Sequence, residues 1–260
     1  MDDEDATEAG GDPGATATLL EPFADGEVPE DIRRRLALVL DVDDLVSALR
    51  LARDLRPWFG VAKVGLELYS AAGPDAIEAL VEQGFCVFAD LKMFDIPTTV
   101  NRAARVIGAL GASYLTLHAR DDAATLRAGV EGLREGAAAA GLDDPIALAV
   151  TVLTSDKGAP SHIMPRRAAL AVETGCGGLV CAAADLAVAR QIAPRLARVV
   201  PGIRPAGASR DDQARAATPT EAIVEGADLL VIGRPVTRVA NPRASAAAIA
   251  AEVAAAVASR

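Results

Sequence analysis

The sequence predicts an α/β fold, a single (β/α)8 TIM barrel formed by residues 32–260. Three observations lead to this prediction. Eight short apolar runs alternate with amphipathic segments, the runs are apolar at nearly every position, and they recur about every 27 residues. Continuous apolar strands are typical of a parallel sheet that is covered on both faces. Eight strand and helix units in about 250 residues are typical of a closed barrel.

The apolar runs are the predicted strands. In chain order they are LALVLDV (36–42), FGVAKVG (59–65), FCVFADL (85–91), ASYLTLHA (112–119), IALAVTVLT (146–154), GLVCAA (178–183), ARVVPGI (197–203) and DLLVIGR (228–234). No long linker interrupts residues 32–260, so the sequence predicts one domain.

The segments between the runs have the spacing of amphipathic helices. They include DLVSALRLARDL (44–55), DAIEALVEQG (75–84), DAATLRAGVEGLREGA (122–137) and EAIVEG (221–226). Thr218, Pro219 and Glu221 fit the start of a helix with a capping box. Gly84 and Gly226 fit positions just beyond helix ends.

An open, doubly wound sheet is the alternative architecture. Such a sheet usually carries a glycine-rich turn after its first strand. Here the first strand ends in LDVDD (40–44), which contains no G-x-G-x-x-G pattern. The sequence therefore favours the barrel.

The net charge of −10 comes from the start of the chain. Residues 1–31 hold 11 acidic side chains and no Lys or Arg, whereas the rest holds 25 acidic and 26 basic ones. This composition predicts a disordered N-terminal extension, either an interaction segment or a simple solvated one. Because the barrel itself is nearly neutral, we expect no binding of nucleic acid.

Composition also bears on location. No apolar run approaches the roughly 20 residues that a membrane span needs, and the acidic start lacks the apolar core of a secretory signal. The three cysteines (Cys86, Cys176 and Cys181) are an odd number without metal-like spacing, which indicates reduced thiols. We therefore expect a cytoplasmic protein with no membrane contact.

The two histidines have no paired spacing, so we expect no histidine metal site. His118 ends a predicted strand and is either a base or ligand, or a hydrogen-bonded structural residue. His162 lies in a polar stretch and is predicted to be at the surface.

Charged residues collect where the predicted strands end. Asp41 ends the first run, Lys63 lies in the second, and Asp90 and Lys92 end the third with Asp95 just beyond. In a barrel, catalytic groups lie at these carboxyl ends. Asp90 and Lys92 are two apart on a strand, so their side chains should point to the same side and keep each other ionised.

The chain has three lysines against 23 arginines, and two of the three are Lys63 and Lys92. Lysine can give up and regain a proton, whereas arginine stays protonated in proteins. The retained lysines therefore suggest a proton donor.

A phosphate site is predicted after the last two strands. PGIRPAGASRDDQARAATP (201–219) is a long loop with glycine and proline, and VIGRPV (231–236) follows the eighth strand. Loops at these two places commonly bind phosphate in such barrels. Gly233 would allow close approach to the backbone, Arg234 could bind bidentately, and Gln213 could donate from the loop.

Taken together, these motifs resemble the orotidine 5′-phosphate decarboxylase family of the bacterial kind. The matching pieces, in the order expected for that family, are LALVLDV, KVG, FADLKMFDIPTTV, LHA, VTVLTS, GLVCAA, PGIRPAG with DDQ and TP, and GADLLVIGRPVT, over about residues 36–242. The resemblance implies decarboxylation of orotidine 5′-monophosphate to UMP and CO2 in pyrimidine biosynthesis, with no cofactor and no metal.

The resemblance also implies roles for single residues. Lys92 would protonate C6 of the pyrimidine, with Asp90 and Asp95 as charged neighbours. Asp41 and Lys63 would bind the ribose hydroxyls, and Lys63 would also join the charged array.

The remaining substrate contacts follow from the same motifs. Thr154 would lie near the edge of the pyrimidine. The phosphate site would comprise Arg204, Gln213, Gly233 and Arg234.

The family pattern further implies a homodimer. Asp95 and Thr99 would reach the active site of the partner subunit. The family usually has Asn where this chain has Thr98, and we expect a small effect because Thr98 keeps a polar group.

Two other functions remain open at this point. A phosphosugar decarboxylase or aldolase of the same superfamily would use Mg²⁺ and would need a carboxylate after the second strand, where Lys63 stands and Glu67 is near. A barrel that only binds phosphate would lack turnover.

Overall fold

The computed structural model describes Phe23 and residues 28–120, 122–153, 156, 158–206 and 216–260. The predicted acidic extension lies outside this part of the chain except for Phe23 and residues 28–31. Within the described ranges, no helix is long and apolar enough to cross a membrane.

Eight parallel strands close into a barrel in which each strand pairs with its neighbour in sequence and β8 pairs with β1. The strands are β1 (Leu36–Val39), β2 (Val61–Val64), β3 (Cys86–Met93), β4 (Ala112–His118), β5 (Ile146–Val150), β6 (Gly178–Val180), β7 (Ala197–Val200) and β8 (Leu229–Ile232). The predicted (β/α)8 barrel is confirmed.

The observed strands are mostly shorter than the predicted runs. Asp41 lies two residues beyond β1 and so does not end its strand as expected. β3 instead continues past its predicted end to Met93. The predicted runs were too long because the apolar pattern continues into the loops that follow the strands.

The helices cover the outside of the barrel. They are α1 (Glu30–Arg33), α2 (Leu45–Leu55), α3 (Leu66–Ala72), α4 (Asp75–Glu82), α5 (Pro97–Ala109), α6 (Ala123–Ala139), α7 (Ile163–Glu173), α8 (Leu186–Ile192), α9 (Pro219–Glu225), α10 (Arg234–Thr237) and α11 (Pro242–Ala258). The predicted capping box is present, since Thr218 and Glu221 each bond to the other's backbone N–H. Gly226 ends α9 with a φ of 108°.

Alternate residues of the strands fill the inside of the barrel. Its buried apolar set comprises Ala37, Val61, Phe88, Leu148, Val199, Leu229 and Val231. Counting two residues onward along β1, β2 and β3 gives polar groups of the mouth, because side chains on one face recur every second residue. Val39 is followed in this way by Asp41, Val61 by Lys63, and Phe88 by Asp90. The apolar interior therefore supports the polar mouth directly.

Helices α5 and α6 approach each other closely through glycines. A Cβ on Gly132 would clash with the backbone carbonyl of Asn101, and one on Gly136 with that of Arg105. This contact holds the start of α5, since the Asn101 amide donates to the Ala128 carbonyl at 3.0 Å. The loop that carries Asp95 is also held by α6, since the Thr125 hydroxyl donates to the Asp95 carbonyl at 3.1 Å.

We predict that Gly136→Ala destabilises the protein. Alanine is the better helix former, but its methyl group would have to displace a backbone carbonyl, and overpacking of this kind costs about 1–3 kcal/mol. Urea unfolding measures the change. Glu135→Ala, on the exposed side of the same helix, is the matched control and should leave the free energy of unfolding nearly unchanged. An equal or higher stability for Gly136→Ala would contradict the close packing.

Candidate active site

The predicted charged residues meet in a cavity at the carboxyl ends of the strands. Its volume is about 490 Å³, and its lining residues include the predicted Asp41, Lys63, Asp90, Arg204, Gly233 and Arg234. A second cavity of about 120 Å³ adjoins it and is lined by Lys92 together with apolar side chains of β3, β5, β6 and β8. Lys63 and Asp90 line both cavities and so lie at their junction.

Four side chains form a line of alternating charge. Lys63 Nζ lies 3.2 Å from Asp41 Oδ1 and 3.4 Å from Asp90 Oδ2. Lys92 Nζ lies 2.7 Å from Asp90 Oδ1. The Lys63 side chain is 9% exposed and that of Asp90 is 14% exposed, so water screens the contact between these two groups weakly. Lys63 contacts both carboxylates and Asp90 contacts both lysines, so these two groups form the middle of the line.

Opposing effects act on the pKa of Asp90. Burial raises the pKa, whereas the charges of Lys63 and Lys92 and the hydrogen bonds from Lys92 and Thr116 lower it, and the net result is a lowered value. Asp90 therefore stays a carboxylate at neutral pH, although its burial favours the protonated form.

Asp90 and Lys92 are brought together by a bulge in β3. Ala89 pairs with Leu115 and Met93 with Leu117, so three residues of β3 lie opposite Thr116 of β4. Lys92 has a φ of 46° and is the one non-glycine residue of the described chain with a positive φ. The two side chains meet as predicted, but the regular alternation assumed for them is wrong, because the bulge changes the direction of the strand.

Thr116 was missed by the sequence reasoning. Its side chain is fully buried, and its Oγ1 accepts the backbone N–H of Lys92 at 2.9 Å and lies 3.1 Å from Asp90 Oδ1. In the sequence Thr116 is simply one residue of the run ASYLTLHA. Its neighbours give no sign of a bulge on the adjacent strand.

Gly65 was also missed. A Cβ at this position would lie 2.8 Å from Asp41 Oδ1 and 2.9 Å from Lys63 Nζ. Any larger residue would thus separate these two groups. Its place two residues after Lys63 is a signal that could have identified it.

The predicted phosphate site lies at the part of the large cavity that is lined by residues following β7 and β8. Arg204 is 8% exposed and donates through Nη1 to the Ile203 carbonyl at 2.8 Å. Gly233 precedes α10, whose first residue is Arg234. The cavity also contacts Glu67 and Arg238, which the sequence analysis did not assign to the phosphate site. Gln213 and Thr154 lie outside the described residues.

Asp95 and Thr99 lie apart from the line of charge. Both are exposed, and Asp95 Oδ1 accepts the Ile96 N–H at 2.6 Å. The neighbouring Phe94 and Ile96 are exposed apolar side chains. Thr98 is exposed beside them. The structure of one chain thus brings neither Asp95 nor Thr99 to Lys92.

The two histidines differ in their surroundings. Burial, together with Arg120, Arg167 and Lys92, lowers the pKa of His118, whose ring packs edge-on against Phe94. His162 is exposed, as predicted. Among the described residues no group of three or more His, Cys, Asp or Glu side chains could hold a metal ion.

We predict that Lys63→Met raises the pKa of Asp90, because it removes the first of the two cations that oppose the effect of burial. A lowered carboxyl pKa adds stability that is complete above the ordinary value of about 3.9 and is lost as the pH falls through the folded-state value. In the variant the folded-state pKa lies nearer the ordinary value, so the contribution of Asp90 to stability at neutral pH should be smaller, and its loss should be complete at higher pH.

The measurement is the free energy of unfolding in urea at a series of pH values from neutral to acid. Arg50→Met removes an exposed cation of α2 and is the control. Superimposable pH profiles for the wild type and Lys63→Met would contradict the electrostatic role of Lys63.

Comparison with known proteins gives consistent matches over most of the chain. Residues 34–249 match the family described as "Orotidine 5'-phosphate decarboxylase / HUMPS family". The orotidine 5′-phosphate decarboxylase of Moorella thermoacetica is 43% identical over 231 residues, covering 84% of this chain and 92% of that protein. That of Anaeromyxobacter sp. strain K is 44% identical over 228 residues, covering 84% and 97%.

A solved structure agrees with these matches. The crystal structure of orotidine 5′-phosphate decarboxylase from Lactobacillus acidophilus superposes with a TM-score of 0.73 at 32% identity. The superposition covers 85% of this chain and 99% of the Lactobacillus acidophilus chain.

Proposed function

The chain belongs to the orotidine 5′-phosphate decarboxylase / HUMPS family, and we propose that it converts orotidine 5′-monophosphate to UMP and CO2 in pyrimidine biosynthesis. Its relatives are enzymes of class EC 4.1.1.23, and the chain is an enzyme of the same class. The observation that carries the proposal is the alternating line Asp41, Lys63, Asp90, Lys92 at the junction of two cavities.

The two cavities fit the two halves of this substrate. The smaller one is walled by side chains such as Phe88, Val150 and Val180, which suits a flat pyrimidine. The larger one contains Asp41, Lys63 and the arginines, which suits a ribose and a phosphate. With the pyrimidine in the smaller cavity, C6 and its carboxylate lie at the junction, beside Asp90 and Lys92.

The reaction needs a stabilised carbanion and a proton. When CO2 leaves, the electrons of the broken C–C bond remain on C6 of the ring. The ammonium of Lys92, held beside Asp90, stabilises this charge because it is already oriented before the bond breaks. Lys92 Nζ then gives its proton to C6 to form the C–H bond of UMP, and the neutral amine regains a proton from water.

Asp90 has a second effect on the substrate. A substrate carboxylate beside the buried Asp90 carboxylate is repelled, and this repulsion ends when neutral CO2 departs. The two lysines keep Asp90 ionised and so sustain the repulsion. No cofactor takes part in this scheme.

The rest of the substrate provides binding energy. Asp41 and Lys63 bind the ribose hydroxyls, and Thr154 lies near the pyrimidine edge. Arg204, Gln213, Gly233 and Arg234 bind the phosphate. Because the phosphate is remote from C6, its binding energy serves to close the loops and to exclude water.

We further propose that the enzyme is a homodimer in which Asp95 and Thr99 complete the partner's site. The exposed position of Asp95, two residues beyond the end of β3, supports this, as do the exposed Phe94 and Ile96 on either side of it. Apolar side chains flanking a charged group are suited to an interface that buries them.

We predict that the purified protein converts orotidine 5′-monophosphate in excess EDTA, followed by the ultraviolet absorbance of the pyrimidine. Lys92→Ala should lower kcat by at least about 100-fold, because it removes the positioned proton donor. Arg234→Ala should act mainly by raising KM, because it removes contact with the remote phosphate.

Arg190→Ala, an exposed arginine of α8, is the control for loss of a positive charge. Near-normal turnover by Lys92→Ala would contradict the assignment. Turnover of phosphosugars that EDTA abolishes would favour the Mg²⁺-dependent alternative, and tight binding of the nucleotide without turnover would favour a barrel that only binds phosphate.

A second prediction tests the shared site. Lys92→Ala and Asp95→Asn should each be nearly inactive alone. If Asp95 serves the partner's site, a mixed dimer of the two variants has one intact site and one site with both changes. Equal mixing after subunit exchange should therefore restore roughly one quarter of wild-type activity, as random pairing gives half mixed dimers. No recovery despite exchange, shown by native mass spectrometry, would contradict the shared site.

A further inference from the structure

We propose that Thr116 is a positioning residue for decarboxylation, because its buried hydroxyl fixes both the backbone of Lys92 and the carboxylate of Asp90. The catalytic role of Thr116 in this inference rests on the proposed function. Its structural basis is independent of that function and lies in the contact between β3 and β4.

The bulge in β3 creates a problem that Thr116 solves. The three residues from Asp90 to Lys92 face one residue of β4, so the regular ladder of backbone hydrogen bonds is interrupted there. The backbone N–H of Lys92 instead donates to Thr116 Oγ1 at 2.9 Å. A buried N–H without an acceptor would be costly.

The direction of each hydrogen bond follows from the chemistry of a hydroxyl. Thr116 Oγ1 uses a lone pair for the Lys92 N–H, and its one proton remains to be donated. The nearer acceptor is Asp90 Oδ1 at 3.1 Å, whereas the Ala89 carbonyl lies at 3.5 Å. The Thr116 hydroxyl therefore donates a hydrogen bond to the Asp90 carboxylate and accepts one from the backbone N–H of Lys92, whose ammonium pairs with Asp90.

This arrangement couples the two groups geometrically. Lys92 has a positive φ of 46°, which is unfavourable for a lysine and persists only where its surroundings impose it. Thr116 holds that backbone in place while Lys92 Nζ contacts Asp90 at 2.7 Å. Without the hydroxyl, the lysine backbone and the carboxylate could both move, and the ammonium would lose its fixed position at C6.

The hydroxyl also favours the ionised form of Asp90. Three polar groups contact this carboxylate directly: Lys63 from β2, Lys92 from β3 and Thr116 from β4. A fourth, Asp41, contacts Lys63. Thr116 is the uncharged one among them. Its removal should therefore change the titration of Asp90 without changing the number of charges in the site.

The test compares Thr116→Val, which keeps the shape and removes the hydroxyl, with Thr116→Ser, which keeps the hydroxyl and removes the methyl group. Thr116→Val should lower kcat by about 10- to 100-fold with little change in KM, since hydrogen bonds to charged groups contribute on this scale. Thr116→Ser should retain most of kcat. Thr174→Val removes another buried hydroxyl, which donates to the Leu170 carbonyl at the end of α7, and should retain full activity.

A second readout needs no turnover. In protein labelled with ¹³C at the aspartate carboxyl groups, the Asp90 resonance should titrate at higher pH in Thr116→Val than in the wild type, and Thr116→Ser should resemble the wild type. The resonance is assigned through its absence in Asp90→Asn. A role limited to packing would leave this titration unchanged in a folded variant.

The outcomes separate the inference from the proposed function. Unchanged kcat and unchanged Asp90 titration in Thr116→Val would overturn the inference, as would equal losses in Thr116→Val and Thr116→Ser. If Thr116→Val fails to fold, a wild-type kcat and titration in Thr116→Ser support the inference and a large loss of either overturns it. Failure of the wild type to decarboxylate the nucleotide refutes the proposed function alone, and the titration still decides whether Thr116 controls Asp90.

Discussion

The site depends on one buried carboxylate that is kept ionised. Asp90 lies between Lys63 and Lys92, at 3.4 and 2.7 Å, and its side chain is 14% exposed. Burial alone would neutralise it, and a neutral Asp90 would leave two nearby ammonium groups without a common partner. The buried carboxylate and the two lysines therefore stabilise one another's charged forms. The close approach at Gly65 and the bulge at Lys92 are the local features that bring them into contact.

The barrel supplies the rigidity that this arrangement needs. The interior-facing positions of β1, β2 and β3 are apolar along the strands and become polar only at the mouth, so the charged groups stand on a packed apolar floor. The outer helices also pack against one another, most closely where the glycines of α6 contact α5. A preorganised charge array is effective only if its members cannot relax when the substrate binds, and these contacts limit that relaxation.

Much of the fold was predictable from the sequence, and the site was predictable in part. Apolar runs in a regular order predict a barrel because continuous apolar strands need a cover on both faces, and the strand ends then locate Asp41, Lys63, Asp90 and Lys92 at one rim. The bulge was not predictable, because it depends on how β3 and β4 pair, which a pattern along one strand does not contain. Thr116 was missed for the same reason. The position of Asp95 was less informative, since its proposed role depends on a second copy of the chain.

The burial of Lys63 and Lys92 in the mouth also determines how the protein responds to chemical labelling. The chain has three lysines, so amine-reactive reagents find few targets on this barrel. Of the two lysines in the mouth, Lys92 is the more accessible, with 33% of its side chain exposed against 9% for Lys63. Acylation there would remove a charge from the array, whereas on most proteins such reagents modify surface lysines without effect. Attachment of dyes or supports through carboxyl groups would instead have many targets, since the chain has 36 acidic side chains against three lysines.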